Sequence, residues 1–217
     1  ELIQFFPTFQ VNPDMKPQTG FQYEAGVRHA FTDQIEANLT LFWIETRNEI
    51  FFNPLTFTNE NFPKTRRQGI EFGTRTRPLQ WLTLWGNYTY MKPTLQEKPF
   101  AGNDIPGVPK NKGSAGFDVD FGKVFQLGKG FQLSSKVTIV GKSFFISDWA
   151  NQAEQLAGYY TWDAKLSYAW KGLKAFVGVN NLTNQKYSEF GVVNALGTEF
   201  FYASPVRNFV AGVSYSF

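Results

Sequence analysis

The stretch Thr161-Trp162-Asp163-Ala164-Lys165-Leu166-Ser167-Tyr168-Ala169-Trp170 alternates apolar and polar side chains with a period of two. Trp162, Ala164, Leu166, Tyr168 and Trp170 share one face, and Thr161, Asp163, Lys165 and Ser167 share the other. Successive side chains of an extended chain point to opposite faces, so the stretch reads as a strand with one apolar and one charged side. Its rings stand towards the two ends, with Ala164 and Leu166 between them.

The same pattern recurs on both sides of this stretch. Phe21, Tyr23, Ala25, Val27, His29 and Phe31 oppose Gln22, Glu24, Gly26, Arg28 and Ala30. Ile35 to Trp43 alternates in the same way, and so do Leu82 to Tyr90, Ser114 to Phe121, Phe131 to Ile139, Lys174 to Asn180 and Asn208 to Phe217. Phe176 interrupts one polar face, and Thr65 to Arg77 is the weakest segment, with Ile70 and Phe72 on its apolar side. Nine strands and no helix are predicted. Short turns at Thr32-Asp33-Gln34, 78–81 and Lys171-Gly172-Leu173, with a longer one at 122–130, alternate with polar stretches at 52–64, 92–112, 146–158 and 183–204. The latter carry most of the prolines and read as loops. Short turns at one end and long loops at the other describe an antiparallel meander, and no composition shift marks a second domain.

Composition narrows the chemistry. The absence of Cys excludes disulfides and thiolate sites, and a single histidine, His29, excludes clustered His ligands and two-histidine mechanisms. A net charge of +3 over 217 residues gives no case for nucleic acid. The longest apolar runs, such as Leu41-Phe42-Trp43-Ile44, are too short for a membrane-spanning helix. A transmembrane β-barrel escapes that test, because every second residue faces a polar lumen. The placement of rings favours it over a soluble barrel. Phe31, Trp81, Phe121, Phe131, Tyr168, Trp170, Tyr215 and Phe217 line the short-turn end of the apolar face. Phe21, Tyr23, Trp43, Tyr88, Tyr90, Tyr160, Trp162 and Phe209 line the other end, and aliphatics fill the band between. Two aromatic belts around an aliphatic band match the two interfaces of a bilayer, whereas a soluble core would place its bulkiest rings in the middle.

Three groups of residues bear a family resemblance. Val177-Gly178-Val179-Asn180-Asn181-Leu182-Thr183-Asn184 with Tyr187, then Ser204-Pro205-Val206-Arg207-Asn208-Phe209 and the ending Val213-Ser214-Tyr215-Ser216-Phe217, form the first. Asn12-Pro13-Asp14-Met15-Lys16-Pro17-Gln18 ahead of Tyr23-Glu24-Ala25-Gly26, and Ile105-Pro106-Gly107-Val108-Pro109-Lys110 ahead of a strand, are the others. Together they resemble the TonB-dependent outer-membrane receptors in family order. The resemblance implies an all-β, antiparallel up-and-down transmembrane barrel of 22 strands, plugged from inside by an N-terminal domain. Residues 1–217 would then be the C-terminal portion of that barrel, about nine strands, with short turns in the periplasm and long loops outside. An odd number of strands with no plug or signal peptide suits part of a larger receptor, since an open sheet would leave unpaired edges in lipid. The implied function is energy-dependent uptake of a scarce nutrient, foremost a ferric siderophore, across the outer membrane of a Gram-negative bacterium. The implied partners are the TonB coupling protein acting through the plug, the barrel-assembly machinery, outer-membrane lipid and lipopolysaccharide. Val213, Tyr215 and Phe217 resemble the signal that the assembly machinery reads. No enzymatic activity, metal site or cofactor is expected. A passive porin is the alternative.

No motif marks the ligand. The loop around Trp149, Asn151, Gln152, Gln155, Tyr159 and Tyr160 has side chains suited to stacking on and hydrogen-bonding a chelate. Alternatively Trp149, Tyr159 and Tyr160 belong to the outer aromatic belt. Lys64, Arg66 and Arg67 make a basic cluster at an outer strand end, suited to focusing an anionic chelate, to lipopolysaccharide phosphates or to pairing with Glu60. Asp118 and Asp120 are expected to form salt bridges with Lys136 or Lys165, His29 to be an interfacial residue, and Asn180-Asn181-Leu182 to mark a strand end.

Overall fold

The alternating segments form nine antiparallel strands hydrogen-bonded side by side. The computed structural model describes residues 12–53, 58–125 and 130–216. Its elements are β1 (Thr19–Thr32), β2 (Ile35–Asn53), β3 (Thr58–Leu79), β4 (Leu82–Leu95), β5 (Asn111–Asp120), α1 (Phe121–Val124), β6 (Gly130–Val140), β7 (Tyr159–Trp170), β8 (Leu173–Asn180), β9 (Ser188–Val193), β10 (Glu199–Ala203) and β11 (Asn208–Tyr215). The large sheet runs β1-β2-β3-β4-β5-β6-β7-β8-β11, and β9 and β10 form a separate hairpin between β8 and β11. Among the described residues β1 and β11 are not paired with each other, so the sheet is an open section of barrel wall.

The register keeps the two faces apart. Leu39 stands opposite Val27 and Phe72, Leu84 opposite Phe117, and Leu166 opposite Leu133 and Val177. This apolar face is bare: Val27, Leu41, Ile139 and Val213 are all more than half exposed. An apolar surface spanning every strand of a sheet marks a face built for another apolar phase. The Lys171-Gly172 turn has φ of 42° and 80°, the left-handed pair that suits the twist of a two-residue hairpin.

Four stretches differ from the sequence reading. The stretch 52–64 is largely ladder: β2 and β3 stay paired from Glu49 with Phe62 to Asn53 with Thr58. Its polar Asn59, Glu60 and Asn61 give no apolar alternation, so the periodicity reports burial where the backbone reports pairing. β4 likewise runs on to Leu95, and 183–204 contains the β9–β10 hairpin. The turn after β5 opens with α1, capped by the Asp120 carboxylate accepting from the Lys123 amide at 3.2 Å; 126–129, in the same turn, and Phe217 lie outside the described residues.

The buried apolar side chains are not in the sheet centre. Leu95, Ile105, Phe145, Leu156 and Val192 all lie at the long-loop end, and Phe145 is 1 % exposed. The wall gives its apolar side chains away to its surroundings, and the loops gather a core of their own.

Candidate ligand-binding face

The loops are joined to one another by backbone and side-chain bonds. The Gly107 amide donates to the Phe144 carbonyl at 2.8 Å, and the Ile146 amide to the Gly191 carbonyl at 3.0 Å. Ser147 Oγ donates to the Val193 carbonyl at 2.7 Å and accepts from the Val193 amide at 2.9 Å. The buried Asp148 carboxylate accepts from the Gln152 and Ala153 amides at 3.0 and 2.9 Å, closing the turn beneath them.

The predicted loop residues separate into three settings. Trp149 packs against Phe62 and Phe51, with ring centroids 3.6 and 4.6 Å apart, and its carbonyl accepts from Asn103 Nδ2 at 2.9 Å. Asn151, at φ 54°, bonds the backbone of Asp104 through both side-chain atoms. Trp149 and Asn151 therefore fasten loops to the β2–β3 extension and to each other. Gln152 is exposed and Gln155 half-buried. Tyr159 and Tyr160 point to opposite faces, as neighbours on a strand must. Tyr160 belongs to the outer aromatic row with Trp162, whereas Tyr159 stacks on Tyr187 with centroids 4.3 Å apart.

Tyr159 and Tyr187 line a recess of about 400 Å³ with Leu156, Gln185, Lys186 and Phe201. Burial, with the Glu189 and Asp163 carboxylates adding to it, pushes the Tyr187 phenol upward. Lys186 adds a cation to this aromatic, hydroxyl-bearing lining. The loop from β8 wraps tightly beneath it: Asn181 Oδ1 accepts from the Gln185 amide at 2.9 Å, and its Nδ2 donates to the Gln185 carbonyl at 2.8 Å. Only Tyr159 of the predicted residues lies in this lining; Phe201 is brought there by the β9–β10 pairing and Lys186 by the loop after β8, and neither carries a local signal.

The basic cluster is divided between the two sides of the wall. Lys64 Nζ and Arg66 Nη2 both pair with Glu45, at 2.9 and 2.6 Å, and the Arg66 guanidinium lies 4.3 Å over the Trp43 ring. These residues share the parity of Trp43 and the apolar face. Arg67 has the opposite parity and clasps Glu49 through Nη2 at 2.6 Å and Nη1 at 2.9 Å, while Thr65 Oγ1 donates to the same carboxylate at 2.6 Å. Asn48, at φ 53°, sits beside Glu49 at the point where this contact crosses the usual alternation. Burial alone would raise the Glu49 carboxyl, but the hydrogen bonds from Arg67 and Thr65 and the Arg67 charge outweigh it and hold it below its ordinary value. Glu60 instead accepts from Asn53 and Thr58.

The expected salt bridges of Asp118 and Asp120 are replaced by other partners. Asp118 accepts from Ser134 Oγ at 2.5 Å, and Asp120 pairs with Lys123 at 3.6 Å. The register explains the first, since it sets Asp118 opposite Ser134 and brings Lys136 opposite Asp163, 3.3 Å away, and the α1 cap explains the second. His29 packs edge-on against Phe31 at 4.7 Å. Among the described residues no three His, Asp or Glu side chains gather as metal ligands.

The sequence matches the family described as TonB dependent receptor-like, beta-barrel, over residues 2–182. Similar solved structures include the ferric yersiniabactin uptake receptor FyuA from Yersinia pestis, with 20 % identity and a TM-score of 0.69 over 90 % of this chain and 29 % of that one. The ferric citrate transporter FecA gives 22 % and 0.68, over 90 % and 31 %. The copper transporter OprC gives 16 % and 0.71, over 94 % and 32 %. At these identities the likeness is one of fold, and the chain spans about three tenths of the length of the structures it matches.

Proposed function

Since the chain belongs to the TonB-dependent receptor β-barrel family, we propose that it forms wall and extracellular loops of an outer-membrane receptor that imports a ferric siderophore. The observation that carries this reading is the pairing of a bare, belted apolar face with a loop body gathered at one end of the same sheet. The apolar face contacts lipid, and the recess beside Tyr159, Tyr187 and Lys186 takes part of a bulky, anionic, ring-bearing chelate by stacking and hydrogen bonding. Gln152, Gln155 and the other loop residues shape its rim, with Trp149 and Asn151 holding the loops in place. Among similar structures, FyuA and FecA are named for ferric chelates, which favours iron, while OprC is named for copper.

The protein's part is binding and a gated path; the energy comes from the TonB coupling protein, acting through a plug domain. Lys64 and Arg66, on the lipid-facing side with Arg66 over Trp43, suit lipopolysaccharide phosphates better than a ligand in the lumen. Arg67, on the other side, is committed to Glu49 and orders the β2–β3 extension. Val213 and Tyr215 are exposed on the apolar face of β11, a placement that supports their assignment to the signal read by the barrel-assembly machinery.

The test is uptake of iron-55 by cells whose only ferric-chelate receptor is the full-length protein. A panel of catecholate, hydroxamate and citrate chelates is offered with the proton gradient intact or collapsed. The reading expects surface binding in both states and accumulation only with the gradient. Accumulation unchanged by its collapse would replace the receptor by a passive porin.

A further inference from the structure

Phe42, Trp85 and Phe176 are aromatic rings on the polar face, among charges and hydroxyls. Each is the direct partner of a glycine in the adjacent strand, Phe42 of Gly69, Trp85 of Gly116 and Phe176 of Gly212. A Cβ at those glycines would lie 2.7 Å from Phe42 Cζ, 2.6 Å from Trp85 Cζ2 and 2.6 Å from Phe176 Cε1. The rings therefore occupy the space a side chain would take. The arrangement has a direction: the rings are on β2, β4 and β8, and the glycines on β3, β5 and β11, the next strand each time. Asn38 lies over its own partner Gly73 in the same way.

Side chains of a strand ordinarily rise roughly perpendicular to the sheet. A ring laid across glycine lies along the wall instead. Glycine inside a strand weakens it, and an aromatic cover offsets part of that loss. At Gly212, where the three atoms nearest a Cβ are all ring atoms and none is backbone, strand stability alone would be better served by an ordinary β-former. What glycine adds is a low profile on the face that the barrel turns inward.

We propose that these ring-on-glycine pairs set the clearance of the lumen, keeping the wall smooth where a chelate passes. The proposal rests on the transport reading above. Phe176 is the decisive case. It borders a cavity of about 580 Å³ with Gln132, Lys165, Ser167, Lys174 and Ser214, and Lys165 Nζ lies 5.0 Å over its ring. The three atoms nearest a Cβ at Gly212 all belong to the Phe176 ring, at 2.6, 2.9 and 3.5 Å. At Gly69 and Gly116 it would also meet backbone oxygens, at 2.1 and 2.4 Å, and strain the ladder itself. A methyl group at position 212 should therefore displace the ring towards the cavity before it disturbs the ladder.

The experiment compares full-length receptors carrying no change, Gly212→Ala, Phe176→Ala, or both, in cells lacking other ferric-chelate receptors. The probes are iron-55 as ferric citrate and as a ferric catecholate. Surface binding on ice should be equal in all four. Uptake should fall several-fold in Gly212→Ala and return to the unsubstituted rate in the double variant, because removing the ring removes the obstruction. A ring that served only to cover the strand would not give that rescue. Unchanged uptake in Gly212→Ala, or a double variant as slow as the single one, overturns the proposal. If the alanine variant does not assemble, Phe176→Trp enlarges the ring while keeping Gly212, and it should also slow uptake. A crystal structure of the Gly212→Ala receptor reads the ring directly. A ring still flat on the wall refutes the clearance role even if the unsubstituted receptor takes up neither probe, an outcome that would separately sink the transport reading.

Discussion

Asn151, in the loop after β6, holds Asp104, in the loop after β4, by two hydrogen bonds: the Asp104 amide donates to Oδ1 at 2.6 Å, and Nδ2 donates to the Asp104 carbonyl at 3.1 Å. One side-chain amide thus does for two loops what a ladder rung does for two strands. Asn151→Ala should leave both Asp104 backbone groups without these partners, at about 1–3 kcal/mol. The expected outcome is faster protease cleavage within 96–110 and 146–158 while the heat-modifiable barrel is unchanged. Equal cleavage rates would show that the apolar contacts alone hold these loops.

Phe145 is the apolar centre of the loop body, with Phe201 edge-on at 5.7 Å and Gly191 against its ring. Phe145→Ala should cost about 3–5 kcal/mol locally, by removing a large, fully buried side chain. Hydrogen exchange should show lost protection at the Ile146 and Val193 amides while the β5–β6 ladder stays protected.

Acid should act first at the β2–β3 extension. The Glu49 carboxyl lies below its ordinary value in the folded chain, so its contribution is present above the unfolded pKa and fades as pH falls through the folded one. Exchange at amides of 49–53 and 58–62 should therefore speed up on acidification below the ordinary carboxylate range. Glu49→Gln should be faster at neutral pH and should flatten that pH dependence.

The two faces should respond oppositely to charge. Leu166→Arg puts a cation on the apolar face near the middle of β7 and should cost about 2–4 kcal/mol in reversible unfolding from lipid vesicles, while Ser167→Arg should cost far less. Comparable losses would contradict the assignment of the apolar face to lipid.

Much of the wall is legible in sequence because half-burial leaves a period-two record: Trp162 to Trp170 can be assigned to faces by inspection. The extension of β2 and β3 leaves no such record, since pairing such as Ile50 with Asn61 needs no apolar neighbour. The ring of Trp149 reads equally well as ligand contact, belt or packing until Phe51 and Phe62, far away in sequence, are placed beside it. Lys64, Arg66 and Arg67 look like one cluster in the sequence, yet strand alternation sends Arg67 to the other side of the wall. Tyr159 is distinguished from Tyr160 by the same rule, but its partner Tyr187 becomes visible only when the loop folds back.

The loop core has a consequence for anything that recognises this protein from outside. Leu95, Ile105, Phe145, Leu156 and Val192 come from three separate stretches of chain, so the surface above them exists only while all three are assembled. An antibody raised on the intact protein would see one discontinuous epitope, and synthetic peptides copying single loops would present none of it. The place open to grafting is the β9–β10 tip, where Leu196 is 90 % exposed and Gly197 has nothing within 4 Å of a Cβ.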